Sequence, residues 1–87
     1  MSGGIEVAVL RALGKQAPGE IVTPVQIGRS IHGRAPTYGE LFSIRATLYA
    51  LGKEGRVNVT YRRAGHPRSM MEASLTQKGQ DSLTAPA

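Results

Sequence analysis

Cysteine and tryptophan are absent from this 87-residue chain, and its aromatic side chains are few: one Phe and three Tyr. Without cysteine, neither a disulfide nor a thiolate metal site can brace the fold. A core must therefore be aliphatic, and a reducing, intracellular setting is compatible with the composition. No apolar run approaches the roughly 18 residues of a membrane span, so no membrane partner is expected. The opening MSGGIEVAVLRALG has no basic region ahead of its apolar stretch and reads as a first helix, not a signal peptide. Ordered catalytic motifs are missing as well. His32 and His66 show no metal-ligand spacing, no nucleophile elbow occurs, and GKQAPGE lacks the phosphate-loop pattern. The expectation is a non-enzyme with no cofactor and no metal.

Acidic residues are also scarce. Six Asp and Glu stand against eleven Lys and Arg, giving +5. Eight of the eleven cations are arginine, whose planar fork suits phosphates and guanine edges better than lysine does. Such an excess favours polyanions, nucleic acid before acidic lipid. Net charge also keeps a small protein soluble, so position along the chain has to decide.

The pattern along the chain is helical at first. Ile5, Ala8, Val9, Ala12 and Leu13 recur on one face over Ile5–Lys15, with Ser2 as a plausible cap. Val7 and Leu10 fall on a second side, an apolar excess that suggests a contact with a second copy. A second helix opens with Thr23 as N-cap and Pro24 at its first position, buries Val25, Ile27, Gly28 and Ile31, and stops at Gly33. Thr37 and Glu40 offer a capping box for a third helix running to Glu54, with Leu41, Ile44, Leu48 and Leu51 as its buried stripe. RVNVTYRR then alternates, with Val57, Val59 and Tyr61 on the inner side. AGHPR turns, and SMMEASLT alternates again through Met71, Ala73 and Leu75. Thr76 can cap a last short helix, QKGQDSL.

Three helices, a two-stranded hairpin and a short C-terminal helix make an α+β winged helix-turn-helix the expected fold. Residues 1–87 are expected to form a single domain, with 1–3 and 84–87 as flexible ends. In that architecture the third helix enters the major groove and the hairpin, or wing, lies along the backbone or minor groove. LYALGKEGRV (Leu48 to Val57) and PRSMMEASLTQKGQDSL (Pro67 to Leu83) resemble the PadR family of winged-helix transcriptional regulators. The family's LT-x-K/x-G-x-x-x-L element is matched by Leu75, Thr76, Lys78, Gly79 and Leu83, and the long turn between Ile31 and Tyr38 also suits it. The resemblance implies a regulator of transcription.

On the third helix Tyr38, Phe42, Arg45 and Tyr49 lie at i, i+4, i+7 and i+11, turned away from the leucine stripe. Arg45 can fork onto a guanine and the tyrosine hydroxyls can reach phosphates, while Phe42 reads as packing. Thr37 and the small Ser43 flank this face. In the wing, Arg62, Arg63 and Arg68 stand with no acid anywhere between Arg56 and Arg68, an arrangement suited to phosphates. His66 joins them at the tip, and Arg34 sits in the turn before the third helix. The expected function is sequence-specific binding of double-stranded DNA by a cytoplasmic, nucleoid-associated regulator or repressor. A homodimer is expected, held through Val7 and Leu10, because two modules on paired half-sites multiply specificity. A small-molecule effector stays an open question. The alternatives are a winged-helix protein–protein adaptor and a non-specific architectural DNA binder.

Overall fold

A computed structural model describes residues 3–16, 19–62 and 70–84. The order is α1 (Gly3–Gly14), α2 (Pro24–His32), α3 (Tyr38–Lys53), β1 (Val57–Arg62), β2 (Met70–Leu75) and α4 (Gln77–Thr84). Gly3 and Thr84, expected in flexible ends, are the terminal residues of α1 and α4. Ser2 lies outside the described residues.

Local chemistry explains where the helices begin and end. At α2 the Thr23 oxygen accepts from the Gln26 amide, and the Thr23 amide donates to Gln26 Oε1 at 2.9 Å, a reciprocal capping box. Gly33 closes α2 in the left-handed region, φ 70°, where a side chain would be strained. At α3 the Thr37 amide donates to Glu40 Oε1 at 2.7 Å, and the Glu40 amide donates to the Thr37 hydroxyl oxygen. Both caps stand where Thr and a long polar side chain three residues on foretell them.

One core joins all the layers. Val9, Leu10, Ala12 and Leu13 of α1 meet Ile27 of α2, then Ile44, Leu48 and Leu51 of α3, with Val57, Met71 and Ala73 closing it from the hairpin. Leu41 is only half-buried and Val25 is exposed, so the buried faces of α3 and α2 are narrower than their apolar patterns suggest. Leu10 corrects an expectation: at 4% exposure it belongs to the core, because α1 is packed on three sides by α2, α3 and α4.

β1 and β2 pair antiparallel, Val57 opposite Leu75 through Arg62 opposite Met70. A further extended position, which no alternation in the sequence announces, docks on this hairpin. Val22 exchanges two backbone hydrogen bonds with Ala73, each 2.8 Å. It ties the α1–α2 connection to β2 and fixes the hairpin against the helices.

The corner between α3 and β1 is held by the start of α4. Thr76 donates through its hydroxyl to the Gly55 carbonyl at 2.7 Å, and Lys78 Nζ donates to the Glu54 carbonyl at 2.7 Å. Gly79 lies so close that a Cβ there would overlap the Arg56 carbonyl oxygen. Leu83 packs on the core. The Leu-Thr-x-Lys-Gly element is thus an architectural clamp that sets the angle of the hairpin.

Candidate nucleic-acid interface

A face of α3 beside its leucine stripe lies largely open to solvent. Tyr38 is 88% exposed, Phe42 72% and Tyr49 56%, with Arg45 and Ala46 exposed among them. At 100° per residue, Tyr38, Phe42, Arg45 and Tyr49 fall within one narrow sector, one to three turns apart. Phe42 therefore does not pack as expected; its ring points outward, because the core side of α3 is already filled by Ile44, Leu48 and Leu51. Ser43 is exposed on a flank of α3, where its carbonyl accepts from the Thr47 hydroxyl at 2.8 Å.

Gly52 brings β1 against α3, since a Cβ there would come within 3.2 Å of Val59. Beside this contact the hairpin and α3 enclose an open groove of about 510 Å³ lined by Phe42, Arg45, Ala46, Tyr49, Tyr61 and Met71. Tyr61 was expected on the inner side of its strand, yet it is 48% exposed, because the hairpin extends past the end of the core. Lys53 Nζ stands 4.9 Å from the Tyr49 ring centre, a cation–π contact that holds a second positive charge by the groove. No carboxylate lines this groove among the described residues.

Two of the expected cations are engaged within the chain. Arg34 forks onto Glu40, Nη1 and Nη2 each 2.9 Å from a carboxylate oxygen, and Nη1 also donates to the Ala35 carbonyl. The arginine and the Thr37 amide hold the Glu40 carboxyl down at about 2, against an ordinary 4.5. Arg34 and Thr37 thus assemble the start of α3, with His32 Nε2 3.4 Å from the same carboxylate. Arg62 Nη2 lies 3.3 Å from Glu72 Oε2. The acid-free run around the wing arginines is therefore a feature of sequence only, as strand pairing supplies the carboxylate from β2. Alternation also turns Arg62 to the opposite face of the hairpin from Tyr61. Arg63, His66 and Arg68 lie outside the described residues. Val7 is 44% exposed on α1.

Among the described residues no cluster of His, Cys, Asp or Glu could hold a metal ion, and no helix is long and apolar enough to cross a membrane. No family model matches the chain, and no match was found among curated proteins. A solved structure does match: the crystal structure of Bacillus subtilis PadR in complex with operator DNA, with a TM-score of 0.67 over 93% of this chain at 17% identity. This chain has a PadR-like winged-helix fold. The match spans 45% of that PadR chain. In these terms α3 is the third helix of the winged helix, the hairpin is its wing, and Val22 adds a single antiparallel bridge to it.

Proposed function

We propose that this chain binds double-stranded DNA as a regulator of transcription, with α3 in the major groove and the arginine-bearing wing on the backbone or minor groove. The observation that carries this reading is the outward face of α3. It presents Arg45 between tyrosines, beside a groove that no carboxylate lines among the described residues, on a chain of net charge +5. A helix of this width fits the major groove, and Arg45 has the fork geometry for guanine O6 and N7. The solved PadR structure that the chain resembles holds operator DNA. Tyr38 and Tyr49 would contact phosphates around Arg45, Ser43 would do so from the other flank of α3, and Arg62, Arg63, His66 and Arg68 from the wing. Arg34 and Thr37 serve by holding the start of α3. Action as a homodimeric repressor in the cytoplasm, at the nucleoid, completes the proposal.

The test is titration of a preferred duplex and of scrambled DNA at several salt concentrations. Binding should weaken steeply with salt on both, since released counterions drive phosphate contact, and the preferred duplex should bind more tightly throughout. Exposed aromatics beside an arginine are also the composition of protein-docking hot spots, which favours an adaptor as the second reading. An adaptor should show no salt-sensitive duplex binding.

A further inference from the structure

We infer that the groove between α3 and β1 receives the C5-methyl group of a thymine, next to the guanine taken by Arg45; this rests on the duplex-binding reading above. Phe42 is a ring with no polar group left in water on a helix whose aliphatic residues Ile44, Leu48 and Leu51 are all buried. It lies three residues before Arg45, so the two side chains leave the same face of α3. Ala46, one turn beyond Phe42, is short enough to let a base edge approach. Tyr61 and Met71 wall the groove from the hairpin side. A smaller cleft, lined by Tyr38, Leu41, Phe42 and Arg45, continues the surface toward the start of α3. In the major groove thymine is the base that offers a methyl group, and apolar side chains are its complement. Arg45 at the groove, with no carboxylate lining it among the described residues, matches the negative charge of the duplex that would carry that methyl, and Lys53 stacks on the Tyr49 ring beside it.

The experiment takes the tightest-binding duplex recovered from a randomised pool with the full chain. Each thymine is then replaced singly by deoxyuridine, which lacks only the methyl group. One position, or a symmetric pair, should lose roughly 3- to 5-fold in affinity, the effect of one buried methyl. Phe42→Ala should bind the thymine duplex more weakly and be indifferent to deoxyuridine at that position, while Phe42→Leu should keep part of the discrimination. Both variants should unfold thermally where the wild type does, because the ring contributes little to the core. Uniform tolerance of deoxyuridine by the wild type overturns the inference, as does a Phe42→Ala variant that keeps the full deoxyuridine penalty. Unchanged duplex binding by Phe42→Ala also overturns it and leaves the groove to a protein partner. Failure of the pool to yield any preferred duplex would sink sequence-specific recognition and this inference together, while salt-sensitive binding of the whole pool would still mark a non-specific DNA binder.

Discussion

Arg45 and Arg62 carry the same charge but stand in different surroundings. Arg45 lies on an aromatic helix face, while Arg62 is paired with Glu72 across the hairpin. Arg45→Ala should cost about 1–3 kcal/mol on a preferred duplex and little on scrambled DNA, relaxing selectivity at one base position. Arg62→Ala should weaken both duplexes alike and lower the salt slope by less than the roughly one of an unpaired phosphate contact, because Glu72 already takes part of its charge. Equal losses on both duplexes for Arg45→Ala would mean that α3 does not read bases. Glu40 belongs to the same scale. Its carboxyl is held at about 2 by the Arg34 hydrogen bond and the Thr37 amide, below its ordinary 4.5. A depressed carboxyl stabilises the fold fully above its unfolded value and loses that contribution as pH falls toward its folded one. The thermal midpoint of the wild type should therefore exceed that of Glu40→Gln at neutral pH, and the gap should close between about pH 4.5 and 2. A gap that stays constant over that range would show that the ion pair does not contribute.

The angle between α3 and the hairpin decides whether helix and wing can share one partner, and the first turn of α4 sets it. Thr76, Lys78 and Gly79 meet the carbonyls of Gly55, Glu54 and Arg56 in turn. Gly79 has no spare room, since an added Cβ would also come within 2.7 Å of Leu75 Cδ1. Gly79→Ala should destabilise the fold by about 1–3 kcal/mol, the usual scale of overpacking. Urea denaturation checks this: the midpoint should fall while the slope stays that of the wild type. An unchanged midpoint would show that α4 can shift aside and that the clamp is loose.

For the whole molecule the open matter is how two copies would meet. Val7 leaves an apolar side chain exposed on α1 and Leu10 does not, since Leu10 fills the core beside Val9 and Leu13. Sedimentation should show a dimer for the wild type and a folded monomer for Val7→Glu. Leu10→Glu should instead unfold the chain, because an unpaired charge cannot be accommodated in an aliphatic core. Circular dichroism separates the two results. A wild-type monomer at high micromolar concentration would remove Val7 from any contact between copies.

Helices, hairpin and caps were legible in the sequence because their determinants are local. Thr37 and Glu40 are three residues apart, Ile44, Leu48 and Leu51 repeat at helical spacing, and Val57 to Tyr61 alternates, so each pattern carries its own geometry. The α3 stripe of Tyr38, Phe42, Arg45 and Tyr49 was legible for the same reason. Its depth was not. Whether Phe42 faces the core or water depends on how much of α3 the other elements cover, and Leu10 became core because three helices close around α1. Strand pairing alone brought Glu72 to Arg62 and Val22 to Ala73, contacts that no short-range pattern encodes. The groove walled by Tyr61 is likewise a product of packing, since it exists only where β1 lies against α3 at Gly52. Spacing along one element determines which side chains share a face; only the packing of elements decides which faces stay open, and which charges are already taken.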